Sequence, residues 1–124
     1  MLLAGGLTER IIGLAIEVHR HMGPGLLESV YEQCLCYELG EAEIPFGRQA
    51  PVPFVYKSKR MGDGFRADLI VADEVILEIK SVPAILPIHL AQLSTYLRLS
   101  HLRIGLILNF NVRRLTDGIR RTVL

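Results

Sequence analysis

The feature that most constrains this chain is a strongly apolar hairpin between Phe65 and Ser81. Two short runs of branched residues, Leu69–Val71 and Val75–Leu77, are separated by Ala72–Glu74, which predicts two strands joined by a tight turn. Strands this apolar are typical of a buried position in a mixed sheet rather than of a half-exposed edge. The hairpin therefore predicts the centre of the fold.

Three charged side chains, Asp68, Glu78 and Lys80, lie at the ends of these strands. A turn at Ala72–Glu74 puts Asp68 opposite Glu78, and residues two apart on a strand share a face, so Glu78 and Lys80 point the same way. Converging carboxylates suit Mg²⁺ or Mn²⁺, and a nearby lysine can orient a water molecule or stabilise charge on a phosphate. The alternative is that the acids are solvated strand ends and that Lys80 pairs with one of them, since the pattern is loose.

Length and composition predict a single compact domain over residues 1–124, because 50% of its 124 residues are hydrophobic. We find no apolar run that could span a bilayer and no secretory signal, so we expect a cytoplasmic protein with no membrane partner. Cys34 and Cys36 lie two apart on a predicted helix, which favours reduced thiols over a disulfide or a zinc site.

The net charge of +1 does not by itself indicate a nucleic-acid-binding protein. Basic residues cluster before the hairpin and near the C-terminus, and these clusters are either solvated loops and edges or a binding patch. They comprise Lys57, Lys59, Arg60 and Arg66, and then Arg113, Arg114, Arg120 and Arg121.

Apolar periodicity predicts helices from Leu7 to about His21, from about Leu27 to Leu39 with Gly40 as the stop, and from about Ile88 to Leu99. The expected buried stripes are Leu7, Ile11, Leu14, Ala15, Val18 and Met22 in the first helix, and Leu27, Val30, Tyr31, Cys34, Leu35 and Leu39 in the second. His19 and His21 end the first helix, where histidines commonly cap or are solvated.

Polar residues on the second and third helices allow two interpretations each. Glu28 either interacts with the helix dipole or turns inward as a third carboxylate for a metal. Gln92 and Tyr96 share a helix face, where they either contact a phosphate or a metal-bound water, or satisfy each other or the end of the sheet.

The remaining segments predict further strands. Pro51 and Pro53 predict that Gln49–Tyr56 is an edge strand, and Lys57–Gly64 is predicted as a polar turn. We expect Ile104–Asn109 to be a buried strand of the parallel type and Gly118–Val123 to be an edge strand. The resulting order of elements predicts an α/β (α+β) fold with a mixed central sheet flanked by helices.

The segment Gly25-Leu-Leu-Glu28-Ser-Val-Tyr31 resembles the motif of the GxxExxY proteins, a family of the PD-(D/E)xK nuclease superfamily. The resemblance extends over nearly the whole chain. Its other parts are Val18-His19, Gly23-Pro24-Gly25, Arg66-Ala67-Asp68-Leu69, Glu78-Ile79-Lys80, Ala91-Gln92-Leu93 with Tyr96, Asn109-Phe110 and Gly118-Ile119-Arg120-Arg121.

The resemblance implies a restriction-endonuclease-like core and assigns roles to several residues. Asp68 and Glu78 would be metal ligands together with Glu28, and the carbonyl of Ile79 a further one. Lys80 would position the attacking water, and Gln92 would support the site. Tyr31, Tyr96 and His19 match motif positions without an assigned role. The proline that precedes the aspartate in the superfamily pattern is replaced by Ala67.

The function implied is hydrolysis of phosphodiester bonds in nucleic acid, with DNA as the expected substrate and Mg²⁺ or Mn²⁺ as the cofactor. The alternative is a non-catalytic binding or regulatory module on the same fold, which the near-neutral charge and small size favour. A homodimer is compatible with either function.

Overall fold

The fold is that of a computed structural model, described over residues 3–124 for the backbone and over residues 6–124 for the side chains. Along this part of the chain the elements are α1 (Leu3–Met22), α2 (Glu28–Glu41), β1 (Phe46–Tyr56), β2 (Lys59–Val71), β3 (Val75–Lys80), α3 (Pro87–Ser100), β4 (Ile104–Asn109), a short 3-10 helix (Leu115–Gly118) and β5 (Ile119–Val123). The predicted order of helices and strands is confirmed. Within these bounds, no helix combines the length and apolarity needed to cross a membrane.

The five strands form one mixed sheet in the order β1-β2-β3-β4-β5. β3 and β4 are parallel, with Val75 opposite Ile104 and Lys80 opposite Asn109, and the other neighbours are antiparallel. The parallel pair is joined by α3, as such a pair requires a crossover connection. This arrangement confirms the expected mixed sheet of a restriction-endonuclease-like core, with the proline-containing β1 at one edge and β5 at the other.

The sheet is covered by helices on both faces, because alternate residues of its central strands point to opposite sides. Val75, Leu77 and Ile79 of β3 pack with buried residues of α1 and α2. Ile76 packs with Leu93 and the rest of the α3 layer on the other face. The apolar runs of the hairpin are therefore buried on both sides, as predicted.

The predicted polar turn at Lys57–Gly64 is wrong, since most of that segment belongs to β2. The chain reverses at Lys57 and Ser58 alone, whose φ angles are +50° and +69°. Two left-handed residues in succession form the tight turn that suits a twisted hairpin. Neither residue is the glycine or asparagine that would have marked such a turn, whereas Gly62 and Gly64 lie within the strand.

The helix boundaries also differ from those predicted. α2 continues through Gly40 to Glu41, and the left-handed residue that follows is Glu43, with a φ of +59°. Leu27 precedes α2 in an extended conformation and is 74% exposed, so its place in the buried stripe was wrong. Met22, at the end of α1, is likewise exposed.

Candidate metal centre and the residues around it

Two carboxylates lie at the open end of the β2–β3 hairpin, where regular strand pairing stops at Leu69 opposite Leu77. One residue further, the Asp68 N–H donates to Glu78 Oε2 at 3.2 Å, and the Ile79 N–H donates to Asp68 Oδ2 at 2.8 Å. Side chains thus replace the bonds that would join the two strands. The register that the sequence predicts brings Asp68 and Glu78 together in this way.

Both carboxyl groups are held in an environment that disfavours two negative charges. Burial, and then the charge of Asp68, raises the pKa of Glu78 to about 7. Burial also raises the pKa of Asp68, against the opposing effect of the Ile79 N–H. Glu78 is 7% exposed, so it is not a solvated strand end.

Lys80 lies two residues beyond Glu78, half-buried at the end of β3. It forms no direct ion pair with a carboxylate anywhere in the described part of the chain. Its charge nevertheless lowers the pKa of both Asp68 and Glu78, although other influences outweigh it. The ammonium group is therefore near the acids without being neutralised by either of them.

A third acid, Glu32 of α2, is part of the same electrostatic environment and was not predicted. Its charge adds to the effect of burial in raising the pKa of both Asp68 and Glu78. Glu32 is buried, with Oε2 accepting from Arg48 Nε at 2.6 Å and Oε1 accepting from Gln49 Nε2 at 2.9 Å. The same Gln49 amide donates to Asp68 Oδ1 at 3.5 Å and so links the two acids.

Gln49 owes this position to an unusual backbone conformation in β1. Its neighbours pair with Leu69 and Ala67, which places Gln49 opposite Asp68, and its φ is +50°. A non-glycine residue in this region costs about 1–3 kcal/mol and is found mostly where the surroundings enforce it. Ala67 packs with the α3 layer whereas Leu69 packs with α1 and α2, so β2 also changes face at Asp68.

Glu28 is exposed at the start of α2, where its Oε2 accepts from the Ser81 N–H at 3.1 Å. Ser81 Oγ donates to the carbonyl of Leu26 at 2.6 Å, so the α1–α2 connection holds the residue that follows Lys80. Glu28 therefore lies at the end of β3. It is Glu32, one turn later, whose charge acts on the Asp68–Glu78 pair. The role of Glu28 as a metal ligand stays a prediction.

Tyr31 stabilises the connection between α1 and α2, whose Leu26 carbonyl accepts the bond from Ser81. Its hydroxyl donates to the Gly23 carbonyl at 2.6 Å and accepts from the Leu26 N–H at 3.0 Å, and its ring stacks on Phe110 at 4.4 Å. His19 is buried rather than solvated, and its Nε2 donates to the carbonyl of Val112 at 2.8 Å. Both residues have structural partners, and neither acts on the Asp68–Glu78 pair in the way Glu32 does.

Asn109 fixes the other side of the β3 terminus. Its Oδ1 accepts from the Val82 N–H at 3.1 Å, and its Nδ2 donates to the Val82 carbonyl at 3.0 Å. Asn109 lies opposite Lys80 in the parallel pairing, which places its amide beside the residues after the strand. The backbone around Lys80 is thus held from both α2 and β4.

Gln92 and Tyr96 belong to α3, and Tyr96 packs against the second face of the sheet. Tyr96 stacks on Phe65 with ring centres 3.8 Å apart and is bonded to Gln92. Burial and then the charges of Glu78 and Asp68 raise the pKa of Tyr96, so its hydroxyl lies within electrostatic reach of both acids. Gln92 itself is exposed. Gln92 thus interacts with Tyr96, as one interpretation of the sequence expected, and Tyr96 is near both carboxylates.

The donor chemistry of the site suits a hard cation. Two carboxylates of raised pKa repel each other, and a divalent cation bound to oxygen ligands would remove that repulsion. Across the residues described here, no three His, Cys, Asp or Glu side chains gather as a ready-made metal cluster. The Asp68–Glu78 pair nevertheless fits Mg²⁺ or Mn²⁺. Mg²⁺ is commonly held by one or two carboxylates and keeps several water ligands.

A mixed sheet between helices, with an Asp and a Glu-x-Lys at the ends of adjacent strands, defines a nuclease-like α/β domain. A profile of the PD-(D/E)XK nuclease superfamily matches residues 6–122, so the chain belongs to that superfamily. Searches of curated proteins and of solved structures gave no match. The superfamily assignment suggests nuclease activity, and the narrower resemblance to GxxExxY proteins stays a prediction.

Proposed function

We propose that this protein is a metal-dependent nuclease that hydrolyses phosphodiester bonds of DNA. The observation that supports it most is the Asp68–Glu78 pair, a half-buried and a buried acid joined through backbone N–H groups, with a lysine beside them that forms no ion pair within the described residues. Two neighbouring carboxylates withdrawn from water repel each other, and a bound cation would compensate both charges at once. Family membership supplies the type of reaction.

In this proposal Asp68 and Glu78 hold Mg²⁺ or Mn²⁺, with Glu28 as a further ligand. When bound, the ion would polarise the phosphate and lower the pKa of a water molecule. The Ile79 N–H and the Gln49 amide keep the Asp68 carboxylate oriented before the ion arrives. Glu32 is occupied by Arg48 and Gln49 and acts on the site by holding Gln49.

Lys80 is the residue that we assign to the substrate. It shares a face with Glu78 and lacks a direct carboxylate partner, so its ammonium is available to orient water or to stabilise negative charge on the phosphate. Gln92 and Tyr96 would contact the same phosphate or its bound water from α3. The proposal extends to a homodimer in which two copies act on opposite strands of one duplex. Sedimentation would test whether the protein dimerises.

The test is cleavage of labelled DNA and RNA with Mg²⁺ or Mn²⁺. Asp68→Asn and Lys80→Ala should each lower the rate by about 100-fold or more, as expected for loss of a metal ligand or of charge stabilisation. Asp73→Asn is the matched control, because Asp73 is an exposed residue in the turn of the same hairpin. Cleavage that persists in the first two variants, or that falls equally in the control, would refute the proposal.

A non-catalytic binding module is the second candidate. It is favoured by the small size of the chain and by its net charge of only +1. Calorimetric titration of Mg²⁺ separates the two functions, because a binding module has no need of the ion. Metal binding that Asp68→Asn abolishes supports the nuclease, and a folded protein that binds no metal supports the module.

A further inference from the structure

The outer part of the β1–β2 hairpin is a two-stranded ribbon that is exposed from Val55 to Gly64, and we call residues 55–66 the basic ribbon. All ten residues from Val55 to Gly64 are exposed, including the apolar side chains of Tyr56 and Met61. An isolated two-stranded ribbon is marginally stable in water, and a partner that covered it would bury these apolar side chains. The segment therefore has the character of a contact surface.

Positive charge is concentrated on this ribbon. Residues 55–66 contain four basic residues and one acid, a net charge of +3 in a chain whose total is +1, so the remaining residues carry −2. None of the four forms an ion pair with any carboxylate of residues 6–124, and Lys57 lies 5.5 Å above the ring of Tyr56. These cations are Lys57, Lys59, Arg60 and Arg66.

The ribbon continues into a groove that is also basic. Arg60 lines it together with Arg98 and His101 from the end of α3, and its volume is about 430 Å³. The other lining residues are apolar or neutral, and none is acidic. The cations thus extend from the hairpin tip along its side to α3, rather than being gathered in one pocket.

We propose that the basic ribbon binds the phosphate backbone of duplex DNA and aligns it with the Asp68–Glu78 site, an inference that rests on the proposed nuclease function. At about 3.3 Å per residue, Lys59 lies about 30 Å along β2 from Asp68, close to one turn of B-DNA. A two-stranded ribbon fits the major groove of B-DNA, whereas the major groove of duplex RNA is too narrow. Two register shifts in the hairpin, after Val52 and after Phe54, add the twist needed to follow a groove.

The test is binding of a fluorescein-labelled DNA duplex of about 20 base pairs, measured by anisotropy in EDTA so that no cleavage occurs. The variant is Lys59→Gln/Arg60→Gln, and the matched control is Arg10→Gln/Arg20→Gln, which removes the same charge from exposed positions of α1. Each lost phosphate contact lowers the salt slope by about 0.9. Between about 50 and 200 mM KCl, the affinity of the ribbon variant should therefore fall about 12-fold less than that of the wild type.

A control that changes the slope as much as the ribbon variant, or a wild type that binds single strands or RNA more tightly than duplex DNA, would overturn the proposal. So would a wild type that binds no duplex. If the ribbon variant binds duplex DNA less tightly but the wild type cleaves no DNA, the proposal for the basic ribbon is supported and the proposed nuclease activity is refuted. If the ribbon variant cleaves DNA with the same KM and the same salt dependence as the wild type, the nuclease activity is supported and the proposal for the basic ribbon is refuted.

Discussion

Replacing Glu78 with glutamine should stabilise the metal-free protein at neutral and higher pH. The wild-type side chain must carry a negative charge there while it is 7% exposed and bonded beside Asp68. Glutamine has nearly the same shape and is neutral, and its amide oxygen can still accept from the Asp68 N–H. The substitution therefore removes a repulsion and leaves the packing in place.

The magnitude follows from the pKa of Glu78, which is raised from 4.5 to about 7 in the folded protein. Between these values the folded state retains a proton that the unfolded state has lost, so the free energy of unfolding decreases as pH rises. The total loss is about 3 kcal/mol, fully developed above about pH 7 and absent below about pH 4.5. Glu78→Gln should thus match the wild type in acid and exceed it by about 3 kcal/mol, or about 10 °C in Tm, at about pH 8.

The assay is urea unfolding of both proteins in EDTA across this pH range, with Glu9→Gln on the exposed surface of α1 as the control. The control should differ from the wild type by the same small amount at every pH. Adding Mg²⁺ at about ten times its Kd should then stabilise the wild type by about 1.4 kcal/mol and leave Glu78→Gln unchanged. A difference between wild type and Glu78→Gln that does not vary with pH would refute the argument.

Three further substitutions test the support of the site. Tyr31→Phe removes the bonds to Gly23 and Leu26 and should lower the free energy of unfolding by about 1–3 kcal/mol, whereas Tyr37→Phe, at a 65% exposed position, should change it by less than about 0.5 kcal/mol. Gly118→Ala should lower the free energy of unfolding by about 3 kcal/mol, because the new Cβ would collide with the Asn109 carbonyl. The control is Gly13→Ala, which has open space around it in α1 and should raise the free energy of unfolding by about 1 kcal/mol. Thermal unfolding measures both. Arg48→Ala should lower the free energy of unfolding in urea by about 1–2 kcal/mol, because the buried Glu32 carboxylate would keep only Gln49 as a partner. Arg113→Ala, at an exposed loop position, should leave the free energy of unfolding almost unchanged.

The sequence by itself determined the order of elements and the meeting of Asp68 with Glu78. Both acids belong to one hairpin, and a tight turn at Ala72–Glu74 leaves a single register in which the apolar runs pair. The proline residues of β1 and the apolar run of β4 likewise predicted an edge strand and a buried parallel strand. These features depend on spacing within short segments, which the sequence displays directly.

The tertiary structure alone decided which acid of α2 bonds to β1 beside the Asp68–Glu78 pair. Glu28 and Glu32 are four residues apart and lie on the same side of the helix, so periodicity does not separate them. Glu32 is selected because Arg48 and Gln49, 16 and 17 residues away, meet it from β1. Gln49 carried no signal in the sequence, since its left-handed backbone is imposed by the strands around it.

The basic ribbon shows the same division. Its charges were visible in the sequence, but the segment was predicted as a turn because Gly62 and Gly64 favour one. In the structure these glycines lie within β2, and the chain turns at Lys57 and Ser58. Local patterns thus determined which segments pair, because neighbours along the chain are always close in space. The long-range packing determined which charges are buried and which are exposed, because that depends on residues that only folding brings together.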